Sequence, residues 1–280
     1  MISLNSFKIG RGDLVSLIGS GGKTTLMYKL AREAVHLGMK VVSTTTTHIF
    51  VPAPDQTEKF ILLNRGNGRI GVRGSGSTGP TSSAPLHAYA PSLTRLGELL
   101  NRYHHVTVAR DYAEENKVRG LRPELLCKLH TLNLADLILV EADGSRQKPF
   151  KAPKDQEPVI PACSTHCILV VNLDVIGKPL DEKYVHRSQI VSTIAGLSLG
   201  DIVTPPVICS VINSPKTYRN KIPPDAETVL FLNGVNSSQR RAWAESIQAG
   251  VDRGLIHKVV WGDLFNWKQG LETGLESGDE

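Results

Sequence analysis

The chain has 280 residues, of which 40% are hydrophobic and 21% charged, and its formal net charge is +5. This length can bury a sizeable core, and the composition is ordinary for a globular protein. The charge is only mildly basic and lacks a dense Lys/Arg run, which argues against nucleic acid as a partner. Residues 1–17 lack a signal-peptide pattern, and no stretch has the apolar length of a membrane span. We therefore expect a cytoplasmic protein without membrane association.

Eight strand-like runs recur along the chain, with helical or loop segments between them. They lie at residues 14–19, 40–46, 59–63, 106–110, 137–142, 167–173, 228–233 and 257–261. Several are apolar throughout, which is typical of strands covered on both faces. The alternation predicts an α/β fold of the P-loop type, a doubly wound, mostly parallel sheet with helices on both faces.

Two segments bear on the domain organisation. Residues 64–91 are rich in Gly, Ser and Pro, and we predict that their middle forms a mobile surface loop. From about residue 200 the pattern changes to turns with paired prolines, followed by a strand, a polar helix and a last strand. We predict a nucleotide-binding core at residues 1–199, whereas residues 200–280 either continue its sheet or form a small lobe.

The most informative segment is residues 14–25, in which an apolar run leads through a glycine-rich turn into a helix. Glycines let backbone N–H groups converge on a polyphosphate, Lys23 can reach the β and γ phosphates, and the Thr24 hydroxyl can bind Mg²⁺. This pattern predicts a site for ATP or GTP with Mg²⁺, formed by Gly19, Ser20, Gly21, Gly22, Lys23, Thr24 and Thr25. The standard motif would have a glycine where this chain has Leu17. The alternative is therefore a glycine-rich turn with an exposed lysine.

An acidic pair follows the apolar run at residues 135–140, because Glu141 and Asp143 come directly after it. A phosphate-loop protein keeps its Mg²⁺-binding acid at this place, at the carboxyl end of a core strand. We predict that Thr24 and Asp143 hold Mg²⁺, that Lys23 neutralises phosphate charge, and that Glu141 positions water or an acceptor. Lys23, Glu141 and Asp143 are thus the predicted catalytic residues. The alternative is a solvated acidic turn.

Polar residues elsewhere are candidates for binding a substrate. Thr46 ends the second strand, where a hydroxyl can bind Mg²⁺ or sense the γ phosphate, although β-propensity alone also places threonine there. Residues 144–161 form a loop with charges among prolines. Lys148 and Lys151 in this loop are our candidates for binding an anionic substrate, and Arg187 is a third.

Residues 231–236 resemble an eroded form of Asn-Lys-x-Asp, the base-reading motif of guanine-binding proteins. Asn233 is present, but Gly234 and Asn236 replace the lysine and the aspartate. A neutral amide binds the guanine N–H donors less strongly than a carboxylate does. We expect Asn233 and Asn236 to contact the nucleotide, and the choice between ATP and GTP stays open.

The four cysteines are too few and too scattered to predict a disulfide framework. Cys163, His166 and Cys167 suggest a metal site, but no second Cys/His pair lies at a suitable spacing. We expect Cys167 to pack in the core instead.

Several uncommon blocks resemble one known family. They include residues 17–31, 41–52, 117–126 and, above all, 135–161, followed by LDVIGKPL and VHR. In this order they resemble the YqeC family, described as selenium-dependent hydroxylase accessory proteins. The resemblance covers most of residues 12–235 and is weak at residues 64–91 and after Val235.

The resemblance implies a role in maturing molybdenum hydroxylases that carry a labile selenium centre, through a step that uses an NTP. It also implies a molybdenum hydroxylase or a selenium-delivery protein as partner, and it assigns the phosphate site to residues 21–24 and the acidic site to Glu141 and Asp143. We prefer an Mg²⁺-dependent NTPase or nucleotide-dependent transferase. The alternatives are a small-molecule kinase or ligase with an anionic acceptor, and a nucleotide-gated chaperone without catalytic activity.

Overall fold

A computed structural model describes residues 2–63, 90–113 and 116–265. The loop that we predict at residues 64–91 lies almost entirely outside these ranges, so its mobility stays a prediction. Among the described residues, no helix has both the length and the apolar character needed to cross a membrane.

A central sheet of eight strands forms the middle of the structure. The strands are β1 (Asp13–Gly19), β2 (Val41–Thr45), β3 (Lys59–Leu62), β4 (His105–Ala109), β5 (Leu137–Glu141), β6 (His166–Asn172), β7 (Glu227–Asn233) and β8 (Lys258–Gly262). Their order across the sheet is β8, β7, β6, β1, β5, β2, β4, β3, and every neighbouring pair is parallel. The predicted α/β fold with a mostly parallel sheet is therefore confirmed.

In the described part of the chain, six α-helices cover both faces of this sheet. They are α1 (Lys23–His36), α2 (Ala90–Arg102), α3 (Pro123–Thr131), α4 (Ser188–Ala195), α5 (Pro205–Asn213) and α6 (Ser238–Gly250). Alternate residues of β1 point to opposite faces: Val15 and Leu17 pack with α1, whereas Leu14 packs with α2 and α3, and Ile18 with α4 to α6. Both faces of β1 are thus buried, which explains why its sequence is apolar throughout.

The segment after residue 200 contributes the last two strands of the central sheet. β7 pairs with β6 along its full length, and β8 pairs with β7 at the edge. The carboxyl ends of these strands therefore lie on the same edge of the sheet as the glycine-rich turn after β1. Ligands of parallel α/β sheets bind at this edge.

Two smaller sheets, which we did not predict, lie beside the central one. In the first, His48–Phe50 pairs antiparallel with Lys117–Arg119, which also pairs with Asp111–Tyr112. In the second, Phe150–Lys151 pairs parallel with Val185–His186. The second sheet holds the loop after β5 against the segment that precedes α4.

One feature of the cysteines differs from expectation. Cys127 in α3 forms a disulfide with Cys163, which precedes β6, and their Cα atoms are 5.6 Å apart. The two residues are 36 positions apart in sequence, so only the folded sheet brings them together. Cys167 is buried in β6 and Cys209 is buried in α5, so Cys167 packs in the core as predicted.

A buried histidine in β4 makes the stability dependent on pH. The His105 ring lies 2.8 Å from the Ser43 hydroxyl, and burial together with the charge of Arg32 lowers the His105 pKa to about 4. The unfolded chain binds this proton near pH 6.5, so the stabilising effect of neutral His105 is complete above that pH and is lost as the pH falls toward 4.

We therefore expect the free energy of unfolding to fall by about 2 to 3 kcal/mol between pH 7 and pH 4.5 through this group alone. Urea unfolding of the wild type and of His105→Gln at both pH values measures it. The variant should show a smaller decrease. An identical decrease in both proteins would assign the pH dependence to other groups.

Candidate functional site

The glycine-rich turn lies between the carboxyl end of β1 and the start of α1. Gly19, Gly21 and Gly22 have φ values of +90°, +77° and +131°, which side chains rarely allow. A Cβ atom on Gly21 would lie 2.3 Å from Cβ of Asn172, and one on Gly22 would lie 2.8 Å from Nδ2 of Asn233. The turn therefore needs glycine for its backbone conformation and also for its close packing.

The amino terminus of α1 faces this turn. The helix begins at Lys23 after Gly22, and no side chain caps it. The first N–H groups of a helix have no acceptor within the helix, and the helix dipole favours an anion beside them. The N–H groups of Lys23, Thr24 and Thr25 are in this first turn. The elements that bind phosphate groups in many proteins are thus present together.

The predicted cation Lys23 is not an exposed turn residue, because only 3% of its side chain is accessible. Its ammonium group donates a hydrogen bond to the Gly19 carbonyl at 2.7 Å and lies 3.2 Å from Asp143 and 3.7 Å from Glu141. Burial disfavours the charged form, but the two carboxylates outweigh this effect and raise the pKa of Lys23. Lys23 therefore carries its charge inside the protein.

Glu141 is the carboxylate beside Thr24. The Thr24 hydroxyl donates a hydrogen bond of 2.6 Å to Oε2 of Glu141, the last residue of β5. We predicted that Asp143 would be the acid beside Thr24. In the structure, the carboxylate that accepts the Thr24 hydrogen bond is Glu141. Burial raises the pKa of Glu141, and the contacts with Lys23 and Thr24 oppose that rise only in part.

Asp143 lies beneath the turn, where it is fully buried. Its Oδ2 accepts hydrogen bonds from the Gly19 N–H and from Lys151, both at 2.9 Å. Its Oδ1 has no hydrogen-bond partner, although Lys23 is 3.2 Å away. Asp143 thus fixes the glycine-rich turn to the loop that follows β5.

An ion-pair network extends from Asp143 into this loop. Lys151 is fully buried, and its ammonium group contacts Asp143, the Gly144 carbonyl at 2.7 Å and Glu157 at 3.4 Å. Arg187 donates two hydrogen bonds to Glu157, at 2.7 and 2.8 Å. Burial works against ionised Glu157, but Arg187 and Lys151 together lower its pKa. The residues Lys23, Glu141, Asp143, Lys151, Glu157 and Arg187 are called the charged network below.

The three basic candidates for an anionic substrate therefore have partners within the protein. Lys151 and Arg187 belong to the charged network, and Lys148 donates to the Lys183 carbonyl at 2.9 Å. Their contact with a substrate stays a prediction, whereas their contacts with the protein hold the loop in place. Glu157, which we did not single out, joins Lys151 to Arg187. Its only signal in the sequence is its position among charges and prolines.

Thr46 also contacts this loop. Its hydroxyl donates to the Val159 carbonyl at 2.7 Å, and its N–H donates to the Glu141 carbonyl at 3.1 Å. The end of the second strand thus packs beside Glu141, as parallel pairing of β2 with β5 requires. A role of Thr46 toward Mg²⁺ or the γ phosphate stays a prediction.

The eroded base-reading segment touches the glycine-rich turn. The Asn233 amide donates to the Gly21 carbonyl at 2.8 Å and accepts from the Leu264 N–H at 3.1 Å. Asn236 donates to Asp263 at 3.1 Å. Gly234 has a φ of +84°, and a Cβ there would lie 2.9 Å from the Arg240 guanidinium. A lysine at position 234 would therefore be strained in this chain.

Within the described part of the chain, no group of three or more His, Cys, Asp or Glu side chains could hold a metal ion alone. This includes Cys163, His166 and Cys167. Mg²⁺ at a nucleotide site is bound mostly by phosphate oxygens and water, with one or two protein ligands. Thr24 and Glu141, whose side-chain oxygens are 2.6 Å apart, are two such oxygen donors.

Comparisons with known proteins agree with the resemblance in sequence. A family model described as YqeC protein matches residues 15–189. The uncharacterized protein YqeC of Escherichia coli (strain K12) is 28% identical over 254 residues, which cover 91% of this chain and 88% of the relative. No solved structure matches the chain significantly. Because the family model matches more than half of the sequence, the chain belongs to the YqeC family.

Proposed function

We propose that this protein binds a nucleoside triphosphate with Mg²⁺ and hydrolyses it or transfers one of its groups. The observation that carries the proposal is the convergence of three groups at the start of α1. The Thr24 hydroxyl is 2.6 Å from Glu141, and the Lys23 ammonium group is 3.7 Å from the same carboxylate. A hydroxyl, a carboxylate and a buried cation beside free helix N–H groups fit a magnesium–polyphosphate ligand.

The protein groups would act mainly by position and charge, as phosphoryl transfer requires. Helix N–H groups and Lys23 would hold the phosphate oxygens and stabilise charge that develops on them. Glu141 would orient water or an acceptor hydroxyl beside the phosphate end of the site. Asp143 would keep the turn in the conformation that these contacts need.

Mg²⁺ would neutralise charge on the phosphate oxygens. Thr24 and Glu141 are the residues placed to hold it, directly or through water, because their oxygen atoms are hard ligands at the phosphate end of the site. Asp143, our first choice from sequence, is bonded to Lys151 and the Gly19 N–H instead. We propose that it contributes to the metal site through Lys23 and the turn.

The wider role proposed from the family resemblance is maturation of selenium-dependent molybdenum hydroxylases in the cytoplasm. A molybdenum hydroxylase or a selenium-delivery protein would be the partner. Turnover that requires an added anionic acceptor would indicate a kinase or ligase instead. Turnover that rises only with a protein partner would indicate a nucleotide-gated chaperone.

Thermal unfolding with ATP, GTP, ADP and GDP, each with and without Mg²⁺, tests nucleotide binding. A ligand at one hundred times its Kd should stabilise the protein by about 2.7 kcal/mol. In Glu141→Gln we expect the additional stabilisation by Mg²⁺ to disappear while metal-free nucleotide still binds. The control is Glu98→Gln, which changes an exposed carboxylate paired with Arg95. A normal Mg²⁺ titration of Glu141→Gln would show that the metal is held elsewhere.

A further inference from the structure

An open cavity of about 590 Å³ lies at the carboxyl ends of β7 and β8, beside the start of α6. It is lined by Val235, Asn236, Ser237, Ser238, Arg241, Trp261 and Gly262. This volume is within the range of small-molecule pockets. Its wall combines one large aromatic side chain with several hydrogen-bonding groups, which is the composition of sites for planar polar ligands.

The cavity is adjacent to the glycine-rich turn through Asn233. This residue donates to the Gly21 carbonyl at 2.8 Å, and its carbonyl oxygen accepts from Leu264 at 3.1 Å. The cavity is lined by Val235, two residues after Asn233, and by Gly262, two residues before Leu264. The Val235 N–H donates a hydrogen bond to the Gly262 carbonyl at 3.1 Å. Consecutive Cα atoms are about 3.8 Å apart, so the cavity begins within about 8 Å of Asn233. The cavity is therefore next to the residue that contacts the glycine-rich turn.

The lining residues suit a base with a flat face and an amino group. Trp261 is half-buried and offers an aromatic surface for stacking. The Asn236 amide group donates to Asp263, so its carbonyl oxygen is the acceptor that it can offer to a ligand. None of the seven lining residues is acidic. Among the described residues that line the cavity, no carboxylate is present to select guanine over adenine, and the neighbouring Asp263 accepts the hydrogen bond of Asn236.

We propose that this cavity holds the base of the bound nucleotide, stacked on Trp261, and that it accepts adenine at least as well as guanine. The inference rests on the proposed nucleotide function. It adds Trp261 and Ser238, which lie outside the eroded motif, to the residues that would contact the base.

The test measures the affinity of the full chain for Mg²⁺-ATP, Mg²⁺-GTP and Mg²⁺-tripolyphosphate, which has no base, by calorimetry. Trp261→Leu removes the aromatic face and should weaken ATP binding about 5- to 150-fold. Trp261→Phe keeps a stacking surface and should stay within about threefold of the wild type. Ser238→Tyr, at an exposed position, should fill the cavity and also weaken ATP binding. Tripolyphosphate should bind all three variants as it binds the wild type.

The matched control is Trp243→Leu, which removes a tryptophan of α6 that does not line the cavity. Wild-type ATP affinity in both Trp261→Leu and Ser238→Tyr would overturn the base site while leaving the proposed nucleotide function intact. A preference for GTP above about a hundredfold would overturn the base selectivity. If neither ATP nor tripolyphosphate binds the wild type, the proposed function and the base site are both wrong.

Discussion

Asp143→Asn is expected to lower the free energy of unfolding by about 3 to 5 kcal/mol, because it leaves two buried ammonium groups short of a counter-charge. Asp143 is fully buried and contacts both Lys23 and Lys151. It also accepts the Gly19 N–H, so an amide at this position must present its oxygen to keep that bond. Urea unfolding of the wild type and the variant measures the loss.

A control variant and a double-mutant cycle, in which Lys151→Met is measured alone and together with Asp143→Asn, identify the cause of this loss. Glu98→Gln removes an exposed carboxylate paired with Arg95 and should change stability by less than about 1 kcal/mol. Lys151→Met combined with Asp143→Asn removes a cation together with the anion. This double variant should be more stable than the sum of the single effects predicts. Additive effects would mean that the ion pair of Asp143 with Lys151 is not what stabilises the turn.

Lys23→Met is expected to abolish the stabilisation of the protein by nucleotide. It should also lower the free energy of unfolding without ligand by about 3 kcal/mol, because Glu141 and Asp143 lose a shared cation. The second effect depends on pH. Burial already raises the pKa of Glu141, and loss of Lys23 raises it further, so the variant should become relatively less stable as the pH rises above the unfolded-state value of 4.5. Unfolding at pH 5 and pH 8, with and without Mg²⁺-ATP, measures both effects.

Lys216→Ala, which changes an exposed lysine far from the turn in sequence, is the control for loss of a positive charge. Nucleotide should stabilise this control as it stabilises the wild type. If Lys23→Met keeps the full shift with nucleotide, the proposed phosphate site is wrong, whatever its stability without ligand.

The sequence predicted the main strands well because they are buried on both faces. All eight predicted runs are strands of the central sheet, with ends that differ by at most one residue. A run of buried apolar residues such as Val15, Leu17 and Ile18 predicts a strand without knowledge of which strands pair with it. The strand order was not predictable, because β6 lies next to β1 only through long-range pairing. The two-residue strands at Phe150–Lys151 and Val185–His186 are too short to show the alternation of apolar and polar residues that predicts a strand.

In the site, the sequence identified the residues better than their contacts. It selected Lys23, Thr24, Glu141 and Asp143, which the fold brings together. It could not show that the carboxylate hydrogen-bonded to Thr24 is Glu141, because that contact depends on the stagger between β1 and β5. Lys151 was predicted to bind an anionic substrate, and its burial beside Asp143 and Glu157 was not predictable, because no local pattern reports such partners.

The charged network has a consequence for what can enter the site. Its three cations, Lys23, Lys151 and Arg187, are matched by the three carboxylates Glu141, Asp143 and Glu157, so its formal charge is zero. Under the proposed function, a bound triphosphate would therefore meet no excess of positive charge from these side chains. Its charge would be balanced by an ion that arrives with it or by protons taken up on binding. We accordingly expect the metal complex of the nucleotide to bind more tightly than the bare anion.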